Sequence, residues 1–352
     1  MFFLKNFFCA AVFLVFAAGC STPEPALQRF DSSRLAPPEV ERERAEQLSR
    51  NLAPCRIRAA VMAADKFYRE DLTAPEEFVE RVRLFGFNRI YLVLEDVSAL
   101  DDRLRGFLRA AGNAGLPVEP VIRQVDFLYS FRGNAFLREF RSGSVTLSKM
   151  AEALVEFNRE QPDGAKFAGA VVEISPHLFT INNFRRPKNL LYAWSEQTWG
   201  PGMDNDMMMK ATIAELKEIA AILTPLSLTV SVPDFYHELA QQKKLTVGDV
   251  NDFLAVMPQH PTVLLRDSGN KPSEALEMVE NELAAAKVAD SVVVGINLAN
   301  HTSVTEGAFR RRNWQDFSRA MGYLVKKWKE FPAFAGVAIG PFLRLELIQE
   351  EE

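Results

Sequence analysis

The chain has 352 residues, of which 48% are hydrophobic and 25% are charged, and its formal net charge is −5 at pH 7. A mildly acidic chain without large lysine or arginine clusters is a poor nucleic-acid binder, so we expect no nucleic-acid partner. The one basic run, residues 310–312, is typical of a solvated helix start.

The first twenty residues have the pattern of a secretion signal that ends at a cysteine. Lys5 gives a positive start, residues 7–16 form an apolar run too short to span a bilayer, and residues 17–19 are small. Cys20 follows directly, and the arrangement resembles the lipobox of bacterial lipoproteins, although alanine at position 17 stands where leucine is commoner. The resemblance implies that residues 1–19 are cleaved off and that a lipid on Cys20 anchors the chain in a membrane. An ordinary secretory signal followed by a chance cysteine is the alternative.

The residue after Cys20 bears on the expected location, and the other cysteines bear on disulfide and metal chemistry. Ser21, rather than aspartate, follows Cys20, which implies the outer membrane of the cell envelope if the host is Gram-negative. Cys9 leaves with the signal, so Cys55 is the only free thiol of the mature chain. It can form no intramolecular disulfide and no cysteine-based metal site. We expect it to be a small buried residue just before the first strand.

Residues 20–54 are predicted to form a tether between the lipid and a folded domain. Prolines at 23, 25, 37 and 38 make its start extended and stiff. Residues 39–52 favour a charged helix, and Pro38 fits its first turn. From residue 55 to residue 348 the composition is that of a globular α/β domain, and a length of about 300 residues is normal for one barrel.

Short runs rich in β-branched residues alternate with amphipathic helical segments throughout this domain. Eight strands with helical connections, and no glycine-rich phosphate loop after the first, predict a single (β/α)8 TIM barrel rather than a dinucleotide-binding sheet. The predicted strands are 57–63, 89–94, 118–123, 168–175, 227–232, 262–266, 291–297 and 335–339. The predicted helices are 75–84, 102–114, 147–160, 207–223, 247–256, 272–286 and 313–331.

Connection lengths indicate which end of the barrel is functional. Helix-to-strand turns are short, whereas the loops after the third, fourth and seventh strands are long, at 124–146, 176–206 and 298–312. Active sites of such barrels lie at the carboxyl ends of the strands. Tyr129 lies in the first of these loops, and Trp194 and Trp199 lie in the second. These rings could line a groove and stack on sugars, or they could pack into a lid with only a stabilising role.

Carboxylates follow most of the predicted strands, as glycosidic bond cleavage would require. That reaction uses two carboxyl groups about 5–5.5 Å or 6.5–9.5 Å apart. Glu173 lies within the fourth strand, and Asp234 and Asp267 follow the fifth and sixth, so we consider these three as candidate catalytic residues. Asp65, after the first strand, is a candidate for substrate binding. The common alternative roles of the loop acids are helix capping and turn formation. For Glu173 the alternative is a structural ion pair with Arg266.

The histidines do not have the spacing of a metal site. His177, His237 and His301 each follow a predicted strand, but no His-x-His or His-x-x-x-His pattern occurs. We therefore predict no metal and no cofactor, and we keep His177 as a candidate for substrate binding. No nucleophile elbow or P-loop occurs in the sequence.

Three segments carry a longer pattern. Residues 167–179 read Phe-Ala-Gly-Ala-Val-Val-Glu-Ile-Ser-Pro-His-Leu-Phe, residues 295–298 read Gly-Ile-Asn-Leu, and residues 334–342 read Phe-Ala-Gly-Val-Ala-Ile-Gly-Pro-Phe. In this order they resemble a family of bacterial glycoside-hydrolase-like barrel proteins, most of them uncharacterised. The family's fourth strand reads Phe-x-Gly-apolar-x-Leu-Asp-Ile-Glu-Pro. The resemblance spans most of residues 56–348.

The departures from the family pattern leave one carboxylate among four polar positions, and that carboxylate is longer by one methylene group. Where the family has Asp, Glu, Glu and His, this chain has Glu173, Ser175, Asn297 and Gly340. A serine hydroxyl does not replace a tuned glutamic acid as proton donor. We therefore expect a non-catalytic envelope lipoprotein that binds a glycan or a protein partner at the barrel mouth, with Asn297 as one candidate contact. The alternatives are an active glycoside hydrolase using Glu173 with Asp234 or Asp267, and a structural lipoprotein that binds nothing.

Overall fold

The computed structural model describes residues 38–63, 75–94, 100–123, 127–132, 135–140, 146–174, 180–182, 204–243, 245–257, 262–266, 272–298 and 314–342. The strands are β1 Ile57–Ala63, β2 Arg89–Leu94, β3 Val118–Arg123, β4 Phe127–Arg132, β5 Ala135–Phe140, β6 Gly169–Glu173, β7 Thr180–Asn182, β8 Ser227–Pro233, β9 Thr262–Arg266, β10 Val292–Asn297 and β11 Phe334–Gly340. The helices are α1 Pro38–Leu52, α2 Pro75–Leu84, α3 Asp102–Asn113, α4 Leu147–Glu160, α5 Asp204–Leu223, α6 Tyr236–Gln241, α7 Val250–Leu254, α8 Pro272–Ala285 and α9 Trp314–Trp328.

Eight of the strands form a closed parallel barrel. They pair in the order β1, β2, β3, β6, β8, β9, β10, β11, and β11 pairs with β1 again. Residues Ala59 to Ala63 of β1 pair with β2, while Ile57 to Ala60 pair with β11, so β1 is hydrogen-bonded on both sides. Closure leaves no free sheet edge within the barrel. The predicted (β/α)8 fold is confirmed, and the predicted bounds of β1, β2, β3 and β9 match the observed ones.

Side chains alternate along each strand between the barrel interior and the surrounding helices, as the two-residue period of a strand requires. The larger apolar core lies between strands and helices. A smaller cluster fills the interior, so the barrel is a packed core rather than a pore. Its buried members are Ile57, Ala59, Tyr91, Val93, Val121, Val171, Leu264, Val293, Ala335 and Ala338.

Helix α1 belongs to the outer wall of the barrel. Leu48 is fully buried, as are Ala45 and Leu52. The indole N–H of Trp314 on α9 donates to Oε1 of Gln47 at 2.9 Å, and the Asn51 amide donates to the carbonyl of Ser318 at 2.8 Å. The tether predicted over residues 20–54 therefore ends earlier than the sequence suggested, because the compact unit begins at Ala36 and includes α1.

The contacts of α1 also fix its direction. Gln47 lies beside Trp314 and Asn51 beside Ser318, so α1 runs parallel to α9. Since α9 connects two parallel strands, β10 and β11, it runs from the carboxyl ends of the strands back to their amino ends. Arg81 on α2 binds Glu41 at 2.9 Å on the other side of α1. Helix α1 therefore fills the gap between α9 and α2, and it begins at the carboxyl-end face of the barrel.

A second, three-stranded sheet joins two segments that the sequence predicted as loops. Strands β4 and β5 pair as an antiparallel hairpin in the connection between β3 and α4. Strand β7, in the connection between β6 and α5, pairs in parallel with β4. The two long connections are therefore held together by main-chain hydrogen bonds.

Candidate binding site at the mouth of the barrel

Glu173 is the last residue of β6 and faces the barrel interior with Val171. In the strand register it lies opposite Arg123 of β3 on one side and Ser231 of β8 on the other. This places it at the carboxyl-end face, as predicted. Its side chain is 19% exposed, so solvent still reaches it.

Both carboxylate oxygens of Glu173 accept hydrogen bonds from arginines. Nε of Arg123 donates to Oε2 at 3.2 Å, and Nη1 of Arg266 donates to Oε1 at 3.2 Å. Nη2 of Arg266 donates to the carbonyl oxygen of Ile174. We call this arrangement the Arg123–Glu173–Arg266 bridge. It matches the ion pair with Arg266 that the sequence left as an alternative, and it adds Arg123, which the sequence analysis had not considered.

Three of the described positions around the mouth, Ser231, Asn297 and Gly340, carry no charge. Ser231 is fully buried, and within the described residues its hydroxyl has no hydrogen-bond partner. Asn297 ends β10, is exposed, and lies opposite Gly340 of β11 in the register. A Cβ atom added to Gly340 would lie 2.5 Å from Cβ of Val61. Position 340, which is histidine in the family pattern that the sequence resembles, therefore has no room for a side chain unless β1 moves.

Asp234, expected as a second catalytic carboxyl, lies on the helical side of the barrel wall. It is buried, and its backbone N–H donates to the carbonyl of Arg266 at 3.1 Å. Burial raises the pKa of Glu282 on α8 well above its usual range, and the nearby charge of Asp234 adds to that increase. Oε1 of Glu282 accepts the backbone N–H of His237 at 2.8 Å. Among the described residues no hydrogen bond or ion pair joins Asp234 to Glu173, and the pairing of these two candidates stays a prediction.

His237 belongs to the same buried cluster and not to the barrel mouth. Burial lowers its pKa, and the charge of Asp249 opposes that effect only in part. Its Nε2 lies 2.7 Å from Nε2 of Gln241. The neutral imidazole is therefore a packed residue of α6.

Several predicted site residues lie outside the described residues: Cys20, Asp65, His177, Trp194, Trp199, Asp267 and His301. Tyr129 lies in β4, where it pairs with Arg138 of β5 and Ile181 of β7. The aromatic groove stays a prediction. The two predicted sides of the groove belong to the connection after β3 and the connection after β6. The pairing of β4 with β7 joins these two connections.

Within the described ranges, no group of three or more histidine, cysteine, aspartate or glutamate side chains could hold a metal ion. None of the described helices combines the length and apolar character needed to traverse a bilayer. Cys55 is buried as predicted, and burial raises the pKa of its thiol to about 12. A thiol in this state is inert at neutral pH.

A second ion pair lies inside the barrel at its amino-end face. Arg89 of β2 binds Glu119 of β3, whose side chain is almost fully buried. Burial raises the pKa of Glu119, and the Arg89 guanidinium opposes the increase. Burial likewise raises the pKa of Tyr91, one step further along the interior. Polar groups at this end of a barrel usually stabilise the fold rather than act on a substrate.

The chain was compared with known proteins. No protein-family model matches it, and no curated protein matches it. A GH18 chitinase from Pseudoalteromonas aurantia is similar over 82% of this chain and 97% of its own, with a TM-score of 0.47 and 10% identity. QR15, an aldolase, is similar over 82% and 91%, with a TM-score of 0.39 and 12% identity. A putative deoxyribose-phosphate aldolase from Toxoplasma gondii ME49 is similar over 88% and 96%, with a TM-score of 0.42 and 9% identity. Likenesses this distant assign no activity, and the barrel is established by the chain's own strand pairing.

Proposed function

We propose that this chain is a lipid-anchored protein of the bacterial cell envelope whose barrel mouth binds a glycan without hydrolysing it. The observation that carries the non-catalytic part is the Arg123–Glu173–Arg266 bridge. Each oxygen of Glu173 accepts an N–H from a different guanidinium group. Both oxygens are therefore held in ion pairs with arginines.

The other described residues of the mouth support the same conclusion. Glycoside hydrolysis uses two carboxyl groups that flank the scissile bond. Ser231 is the neighbour of Glu173 in the register, and it is buried and uncharged. Gly340 has no room for a side chain. Among the described residues, no second carboxylate contacts Glu173.

Binding of a glycan is supported by the location and composition of the mouth. The carboxyl-end face is the functional end of this fold. The connections that carry Tyr129, Trp194 and Trp199 are joined through β4 and β7. Aromatic rings in such connections provide flat apolar faces on which sugar rings stack.

Anchoring is supported by the signal sequence and by the start of α1. Cys20 follows a lipoprotein-like cleavage site. Residues 21–37, between Cys20 and α1, span at most about 60 Å when fully extended. Because α1 begins at the carboxyl-end face, this connection enters the barrel at the same end as the proposed binding site.

The test combines binding, hydrolysis and lipidation on the full-length chain solubilised in detergent. A glycan array reports binding, and a reducing-sugar assay on the bound glycans reports cleavage. We expect binding without sugar release, in the wild type and in Glu173→Gln alike. Release of reducing ends that Glu173→Gln abolishes would establish the hydrolase instead. Mass spectrometry of the mature N-terminus tests the lipid, with Cys20→Ala as the variant expected in the soluble fraction.

A further inference from the structure

A polar groove lies on the outer wall of the barrel, between α1 and α9. The described residues that line it belong to these two helices, from Val40 to Asn51 on α1 and from Trp314 to Gly322 on α9. The groove encloses about 380 Å³, which is within the range of small-molecule sites, about 300–1,000 Å³. No residue of the Arg123–Glu173–Arg266 bridge lines it. We call it the α1–α9 groove.

The α1–α9 groove stays open because the residues of α9 that face it are small. Asn51 on α1 reaches across to Ser318, and its amide nitrogen donates to the carbonyl and hydroxyl oxygens of Ser318, both at 2.8 Å. One turn further along α9 is Gly322, where an added Cβ atom would lie 3.0 Å from Oδ1 of Asn51. Leu48 and Leu52 of α1 pack into the apolar core. The side of α1 that faces the groove is therefore polar.

Two amide side chains in the groove have hydrogen-bonding groups to spare. Oε1 of Gln47 accepts the indole N–H of Trp314, whereas its amide nitrogen donates to no described residue. The amide nitrogen of Asn51 is used by Ser318, whereas its Oδ1 accepts no hydrogen bond from a described residue. Gln47 and Asn51 are both partly exposed. The groove therefore offers one amide donor and one amide acceptor to a ligand.

The charged residues of the groove do not favour an anionic ligand. The guanidinium group of Arg44 lies over the ring of Trp314, 5.5 Å from its centroid. Arg319 binds Asp316 at 3.1 Å. Glu43 is exposed and adds a negative charge to the lining. Strong binding of a phosphate or carboxylate relies on arginine N–H groups directed at its oxygens, and both arginines of the groove are engaged with other groups.

We propose that the α1–α9 groove binds a neutral sugar residue, whose hydroxyl groups form hydrogen bonds with Gln47, Asn51 and Gln315. A hydroxyl group both donates and accepts, so neighbouring hydroxyls on one sugar ring match an amide N–H and an amide oxygen at the same time. Gln315 is exposed on the first turn of α9 and supplies the third amide. This site lies outside the mouth of the barrel, so it goes beyond the proposed function and does not depend on it.

The test measures binding of chito-, cello- and malto-oligosaccharides to the full-length chain in detergent by calorimetry. We expect at least one of them to bind in the groove. Gln315→Trp fills the groove from an exposed position and should remove that binding. Gln315→Ala removes one hydrogen-bonding group and should weaken the binding by about two- to tenfold. Gln242→Trp and Gln242→Ala are the matched controls, because Gln242 is exposed just after α6, and both should leave binding unchanged. Circular dichroism verifies that each variant is folded.

The outcomes separate this inference from the proposed function. A site that is lost in Gln315→Trp and kept in Gln242→Trp supports the groove. Its affinity should stay constant between about 50 and about 500 mM salt, since a neutral ligand has no charge for salt to screen, and a steep loss with salt overturns the neutral class. Binding that Gln315→Trp leaves unchanged overturns the groove and leaves binding at the mouth standing. If Gln315→Trp removes all glycan binding, the groove stands and the site at the mouth is overturned. Binding of none of these oligosaccharides overturns the groove.

Discussion

Replacing Glu173 with glutamine tests whether this side chain is an ion-pair bridge or an active-site acid. Glutamine keeps the size of the side chain and one acceptor oxygen but removes the charge shared by Arg123 and Arg266. A hydrogen bond to a charged group contributes about 1.5–3 kcal/mol when it is shielded from water, and an exposed pair contributes about 0–1 kcal/mol. The pair with Arg266 is partly shielded and the pair with Arg123 is more exposed. We therefore expect the free energy of unfolding to fall by about 2 kcal/mol at neutral pH.

Urea denaturation followed by circular dichroism measures this change. With an m-value of about 3 kcal/mol/M, a loss of about 2 kcal/mol lowers the midpoint by about 0.7 M. Glu156→Gln is the matched control, because Glu156 forms an exposed pair with Arg159 on α4, and we expect its effect to stay below about 0.5 kcal/mol. A double-mutant cycle of Glu173→Gln with Arg266→Met isolates the pairwise energy. An acid kept for catalysis at a cost in stability gives the opposite sign. A variant more stable than the wild type would therefore refute the bridge.

Three further substitutions test the fold around the site. Burial raises the pKa of Glu282, so the folded protein retains a proton that the unfolded chain releases above about pH 4.5, and stability falls as the pH rises through the folded pKa. Glu282→Gln keeps an acceptor for the N–H of His237. The urea midpoints at pH 5 and pH 8 should differ less for this variant than for the wild type. An unchanged pH dependence would contradict the raised pKa of Glu282. Gly340→His should lower the melting temperature, since overpacking costs about 1–3 kcal/mol, and the added change Val61→Ala should recover part of the loss if the clash is the cause. Leu48→Ala should cost about 2–5 kcal/mol in chemical denaturation, because the side chain is fully buried; a loss under about 0.5 kcal/mol would mean that α1 is not part of the wall.

The barrel strands were predictable because each is a short apolar run rich in β-branched residues and bounded by turns. The apolar run Val-Leu-Leu within β9 is short enough to favour a strand over a helix. The predicted bounds of β9 match the observed ones. The hairpin of β4 and β5 also had a signal, since Gly133 and Asn134 separate two runs rich in phenylalanine, a spacing typical of two-residue turns. That signal was outweighed by the length of the whole connection, which predicted a loop.

The role of α1 was hidden by its charge. Residues 39–52 are dominated by glutamate and arginine, which indicated a solvated tether. Ala45, Leu48 and Leu52 nevertheless lie three and four residues apart, and this narrow stripe is the face that α1 buries. A short apolar stripe shows that a helix can pack, but it does not identify the helices that receive it.

The location of the candidate site was predictable from the sequence, but the residues that bind Glu173 were not. The alternation of β6 predicted that Glu173 faces the interior, and the same rule applied to β8 assigns Ser231 to the interior and Asp234 to the opposite face. The partners of Glu173 depend on which strands are neighbours. Arg123 is fifty residues away in the sequence and becomes adjacent only because β3 pairs with β6. A single sequence carries no direct signal for that proximity.

The direction of α1 determines how the barrel responds to mechanical force. The helix begins at the carboxyl-end face and runs along the wall between α9 and α2. A pull on the chain at residue 36, away from that face, acts along the helix axis. It loads the contacts of Gln47 with Trp314 and of Glu41 with Arg81 together, in shear, instead of peeling them apart one after another. A pull applied at the start of α1 is therefore resisted by both contacts at once.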